Sequence, residues 1–137
     1  MIVSSHRFDR AEALAAELGG KAVHYDTYED LMDRTDILIA STLAPITLVR
    51  EEQVRAWMRR RQGRPLFLID IAVPRNIDPA AEKLDNVYLY NVDDLQGIAN
   101  QNKNLREGQL AECLELIKGQ SDHFMGWLSK EFRSTGA

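Results

Sequence analysis

Three short apolar runs, at residues 36–42, 66–71 and 87–90, constrain this chain more than any other feature. A continuous apolar run of that length predicts a strand buried on both faces of a parallel sheet. The stretches between the runs carry a different period. From Glu51 to about Arg61, the residues Val54, Trp57 and Met58 share one helical face. Upstream, Ala11, Leu14, Ala15 and Leu18 stand at i, i+3, i+4 and i+7, and Gly19-Gly20 follows as a C-terminal cap. Ile2-Val3 reads as the end of a strand, and residues 21–25 as a short one. Thr27 is placed to cap a helix over 28–34, with Asp30 in the capping-box position. Asp78 before Pro79 predicts another N-cap, with proline at the first helical position. Strands alternating with helices predict an α/β fold, a doubly wound parallel sheet with helices on both faces.

From Asp93 onward the chain changes character. It contains no further proline, and residues 93–137 are compatible with one long helix. Leu110, Leu114, Ile117, Ser121, Phe124 and Leu128 alternate spacings of four and three, a seam of the coiled-coil kind. The organisation expected is therefore a sheet domain over 1–91 and a projecting helix over 92–137.

Composition limits what such a chain can do. With 137 residues, 45% hydrophobic and 28% charged, it can bury a core without disulfides or metal. A net charge of −4 argues against a mainly basic nucleic-acid binder. The single cysteine, Cys113, excludes a disulfide framework and a cysteine-based zinc cluster. With no base or helix N-terminus near it in sequence, Cys113 reads as a packing residue rather than a nucleophile. His6, His24 and His123 lack metal-ligand spacing. No apolar run approaches the length of a membrane span, and residues 1–7 lack the apolar core of a signal peptide. A reducing, cytoplasmic setting is the default.

In doubly wound sheets ligands bind beyond the carboxyl ends of strands. Residues 4–7, 41–45 and 70–75 lie there. Ser4-Ser5-His6-Arg7 offers hydroxyls and a guanidinium where a carboxylate would select NAD, and these suit the 2′-phosphate of NADP. Simple N-capping by Ser4 or Ser5 accounts for the same residues. Asp70-Ile71-Ala72-Val73-Pro74-Arg75 ends a strand in a rigid turn, and Pro74 biases Val73 to an extended backbone that could face a flat ring or simply close the turn. Arg55, Arg59, Arg60, Arg61 and Arg64 could track RNA phosphates or line a solvated helix face balanced by Glu51 and Glu52. No G-x-G-x-x-G phosphate loop occurs in the chain.

The stretch Asp70-Ile71-Ala72-Val73-Pro74-Arg75-Asn76-Ile77-Asp78-Pro79, followed by Val87-Tyr88-Leu89-Tyr90-Asn91-Val92-Asp93-Asp94-Leu95-Gln96, resembles the glutamyl-tRNA reductases. The run from Asp36 to Thr42 and the Phe124-Met125-Gly126-Trp127-Leu128 stretch fit the same family in order. The resemblance implies a Rossmann-like NADPH-binding domain, incomplete at its N-terminus without first strand and Gly-rich loop, followed by much of a long spinal helix leading to a dimerisation domain. It implies reduction of glutamyl-tRNA to glutamate-1-semialdehyde in tetrapyrrole synthesis, through a thioester on a cysteine of a separate catalytic domain to which Cys113 does not correspond. It also implies a homodimer and a partner in glutamate-1-semialdehyde aminomutase. Carried over onto this chain, Ser5, His6 and Arg7 form the adenosine-phosphate region, where the family commonly has Asn-Arg-Thr. Ser41 and Thr42 border the cofactor, and Ala72, Val73 and Pro74 lie toward the nicotinamide. Without its first strand the sheet is expected to dimerise, exchange an element or shift a strand, and the chain alone to be inactive. The runner-up readings are the cofactor domain of another NADP oxidoreductase, such as shikimate dehydrogenase, and a helical dimerisation or RNA-binding module.

Overall fold

The computed structural model describes residues 1–135. The order of elements is β1 (Ile2–Ser5), α1 (Phe8–Glu17), β2 (Lys21–His24), a 3-10 segment (Tyr25–Arg34), β3 (Ile37–Ala40), α2 (Glu51–Arg60), β4 (Leu66–Asp70), a second 3-10 segment (Pro79–Lys83), β5 (Val87–Asn91) and α3 (Val92–Thr135). Every strand pairing is parallel. The strands form two sheets, β1-β2 and β3-β4-β5, rather than one continuous sheet. The chain divides into two compact units, the first ending at Val92 and the second beginning at Asp93.

The core lies on one face of the three-stranded sheet. Ala40, Leu66, Leu68 and Val87 pack there with Val54 and Trp57 of α2, and with Ile77 and Ala81. Tyr28 meets Trp57 edge-on, with ring centroids 6.4 Å apart, and so joins the first 3-10 segment to α2. The opposite face is open. Ile37 pairs in register with Phe67 and Phe67 with Tyr88, and all three are exposed, as is Ile39. Burial on both faces is thus not realised for β3, β4 or β5. Within the first unit, α2 and the 3-10 segments lie on the other side, so alternate residues of the apolar run face solvent.

Local signals are met with two exceptions. Gly19 takes φ +65, and the amides of Gly20 and Gly19 reach back to the carbonyls of Ala15 and Ala16, closing α1 as a Schellman motif. The Asp78 side chain accepts from Ala80 N with Pro79 inside the turn. By contrast, Thr27 does not cap a helix over 28–34. Its hydroxyl donates to the His24 carbonyl at 2.8 Å, and a continuous 3-10 segment runs through it. In α1 only Ala11 and Ala15 of the apolar stripe are buried, while Leu14 and Leu18 remain exposed, because the helix packs on a sheet of two strands.

The second unit is a helix about 66 Å long at 1.5 Å per residue. Its seam residues Leu110, Leu114, Ile117 and Phe124 are exposed. Cys113 is exposed too, so the packing role expected for it is not found within this chain.

Candidate functional site

The loops that leave the carboxyl ends of β3 and β4 are held together by two buried polar side chains. Asp70, the last residue of β4, is 1% exposed. Its Oδ2 accepts from the amides of Asn76 and Ile77, both at 2.8 Å, and its Oδ1 from the amide of Ala72 at 3.1 Å. Three N–H donors thus satisfy a carboxylate that burial would otherwise penalise. Asn76 is fully buried. Its Oδ1 accepts from Thr42 N at 3.1 Å, and its Nδ2 donates to the carbonyls of Ala44 and Ile46, each at 3.0 Å. The backbone adds to the join. Leu48 N and Val49 N donate to the Asn76 carbonyl, Asp78 N donates to the Val49 carbonyl, and Val49 bridges Ile77.

On this frame stand the residues expected to meet a cofactor. Ser41 is exposed and Thr42 half-buried, with the Thr42 hydroxyl accepting from Ala44 N at 3.2 Å. Val73 and Pro74, joined by a cis peptide, are exposed. Ala72 is buried. Leu43 and Val73 project into solvent at 97% and 79% exposure.

The third group lies at the end of β1. Arg7 occupies the N-cap position of α1 without a side-chain cap, so neither Ser4 nor Ser5 caps that helix. The Ser5 hydroxyl instead accepts from Arg7 N at 3.3 Å. The Arg7 guanidinium pairs with Asp9 at 2.7 Å, and that hydrogen bond raises the arginine pKa and lowers the carboxylate's. His6 lies tilted against Tyr25 with ring centroids 3.7 Å apart, and Phe8 stacks on His24 at 4.0 Å. Ser41–Thr42 and Ala72–Pro74 are therefore brought together through Asn76 and Asp70, while Ser5, His6 and Arg7 make their contacts among β1, α1, β2 and the Tyr25–Arg34 segment.

Of the arginine cluster only Arg61 is buried, while Arg55, Arg59, Arg60 and Arg64 are exposed. Arg61 is 2% exposed. Its guanidinium donates to the carbonyls of Met32 (2.7 Å), Pro65 (2.6 Å) and Thr35, and pairs with Asp36. Arg64 pairs with Asp36 at 2.6 Å, and Arg55 with Glu51. A solvated face does not describe Arg61, and phosphate tracking would require these pairs to break. Among the described residues, no three His, Cys, Asp or Glu side chains come together as metal ligands. No helix among them is long and apolar enough to cross a membrane.

Asp70 and Asn76 carry the site's geometry, yet spacing alone did not assign them a role. The readable signal was an aspartate at the end of an apolar run, where a carboxylate must find partners once buried.

Residues 1–98 match the family model described as shikimate/quinate 5-dehydrogenase. A curated relative, the glutamyl-tRNA reductase of Thermodesulfovibrio yellowstonii, is 39% identical over 127 residues, which is 93% of this chain and 30% of that protein. The glutamyl-tRNA reductase of Citrifermentans bemidjiense is 37% identical over 129 residues, 94% of this chain and 30% of its own length. Among solved structures, glutamyl-tRNA reductase from Methanopyrus kandleri superposes with a TM-score of 0.74 at 34% identity, covering 81% of this chain and 28% of that one. The nucleotide-binding domain of glutamyl-tRNA reductase from Thermoplasma volcanium, at 23% identity and a TM-score of 0.58, covers 77% of this chain and 67% of that one, and agrees in fold. The fold is thus Rossmann-like with a long C-terminal helix, and the chain spans about 30% of the length of the curated relatives it matches.

Proposed function

The chain belongs to the shikimate/quinate 5-dehydrogenase family, and from that premise we propose that it is the NADPH-binding part of a glutamyl-tRNA reductase. In this reading residues 1–91 are the cofactor-binding unit and 92–137 the spinal helix leading to a dimerisation domain. The whole enzyme is a cytoplasmic homodimer that takes glutamyl-tRNA and delivers glutamate-1-semialdehyde, for tetrapyrrole synthesis, to an aminomutase.

The observation that supports the reading best is the joining of two strand-end loops into one surface, carrying Ser41, Thr42, Val73 and Pro74 beyond the ends of β3 and β4. Ligands of open parallel sheets lie on that side. NADPH, when bound, would supply the hydride that reduces the glutamyl thioester to an aldehyde, with the cysteine thiolate as leaving group. The residues present fit it in part. Arg7 and the Ser5 hydroxyl suit a 2′-phosphate, with His6 beside them. Thr42 and Ser41 offer hydroxyls along the cofactor's edge, and the exposed Val73–Pro74 turn offers an apolar face to the nicotinamide ring. None of these residues would hold the pyrophosphate, since the G-x-G-x-x-G loop that does so in dinucleotide folds does not occur in the sequence. The chain alone is therefore expected to bind NADPH weakly and to reduce nothing.

The test uses an intact reductase carrying this segment. With glutamyl-tRNA it should oxidise NADPH in preference to NADH, and Arg7→Ala should raise the KM for NADPH with little change in kcat, the signature of lost uniform binding. Equal use of the two cofactors, or reduction coupled to shikimate rather than glutamyl-tRNA, would contradict the proposal. So would tight NADPH binding by the isolated 137-residue chain in a calorimeter.

A further inference from the structure

Asp70 and Asn76 sit beneath the proposed nicotinamide wall without forming part of its surface. Both are buried, and their side chains hydrogen-bond to loop backbone: three amides for Asp70, and one amide and two carbonyls for Asn76. The loops they hold have little packing of their own at the tips, where Leu43 and Val73 stand in solvent. An irregular loop not fixed by packing must be fixed by hydrogen bonds or be mobile. The Asn76 amide group reaches positions 42, 44 and 46, on both sides of the Leu43 tip, and so uses its acceptor and both donors on that single loop. Asp70 in turn fixes the amide of Asn76 itself and the start of the Ala72–Pro74 turn. The two residues act in series, from the carboxylate to the turn and from the turn to the neighbouring loop.

We infer that Asp70 and Asn76 are positioning residues for hydride transfer, holding Thr42 and the Val73–Pro74 turn in one fixed relation without touching the cofactor. This inference rests on the reading of the segment as a cofactor unit. An ångström of misplacement at a reacting centre is costly to rate even when binding survives. Loosening this frame should therefore fall on the chemical step more than on NADPH affinity.

In an intact reductase carrying this segment, Asn76→Ala and Asp70→Asn should each lower kcat by about tenfold or more. The KM for NADPH should change much less. The deuterium isotope effect measured with NADPH labelled at the transferred position should rise, because hydride transfer becomes the slower step. A merely structural role lowers the folded fraction, and with it kcat, but leaves the isotope effect unchanged. That result, or variants with unaltered kcat, would overturn the inference. If the unsubstituted enzyme does not oxidise NADPH at all, the functional reading has failed, and the frame is judged by amide exchange in the unsubstituted protein. The Thr42, Asn76 and Ile77 amides should then be protected, and exchange at the Thr42 amide as fast as in an unfolded chain would overturn the inference, whether or not either variant folds.

Discussion

Arg7 carries the charge on which the reading of the β1 end depends, and that charge is shared. Its guanidinium lies 2.7 Å from the Asp9 carboxylate, and both groups are exposed. A 2′-phosphate would draw the same guanidinium away from Asp9. Exposed ion pairs of this kind are weak and screened by solvent. Asp9→Asn should therefore tighten binding of 2′-AMP by about two- to fivefold, read by titration, and leave binding of 5′-AMP unchanged. Unchanged affinity for 2′-AMP would mean that Arg7 does not meet the phosphate. Asp36 gives a prediction about pH. Its hydrogen bond with Arg64, and then the weaker one with Arg61, lowers its pKa from the ordinary 3.8. A carboxyl with a depressed folded-state pKa stabilises the fold fully above its ordinary value and ceases to do so as the pH falls through the depressed one. Thermal midpoints of the parent and Asp36→Asn should thus differ at neutral pH and converge in acid. A constant difference across that range would show that the pair does not contribute.

Between elements, Arg61 does what no apolar residue could do at its position. It follows α2 directly and closes off the carbonyls of Met32, Thr35 and Pro65 around the start of β3 and β4. A lysine there keeps the charge but loses the planar fork. Arg61→Lys should cost about 1–3 kcal/mol in denaturant unfolding, the usual penalty for buried groups left without partners. A cost near zero would indicate that water reaches those carbonyls. Arg61 also marks where sequence reading stops. Helix and strand positions followed from period and from caps such as Gly19 and Asp78, because those signals are local. One arginine among five gave no local sign that it alone would turn inward, since its partners lie some thirty residues upstream as well as next to it. The same holds for Asn76, whose amide bonds to positions 42 to 46. Ser41, Thr42, Val73 and Pro74 were legible as strand-end residues, whereas the bonds that hold them together depend on tertiary contact. Thr27 failed for a nearer reason, since its hydroxyl found the carbonyl behind it before any amide ahead.

At the scale of the whole molecule, two features ask for a larger assembly. The outer face of β3-β4-β5 exposes Ile37, Ile39, Phe67 and Tyr88, and α3 exposes Leu110, Leu114, Ile117 and Phe124. Apolar surfaces of this kind are characteristic of contacts between domains or chains. They accord with a segment spanning about 30% of the relatives it matches. Against that background the cofactor claim is tested most directly on the chain itself, by following its backbone amides in NMR while NADPH is added. Weak binding is expected, with shifts concentrated at Ser5–Arg7, Ser41–Thr42 and Ala72–Pro74, and smaller shifts with NADH at Ser5–Arg7. Shifts confined to α2 and α3, or a response to NADPH and NADH that is identical at Arg7, would contradict it.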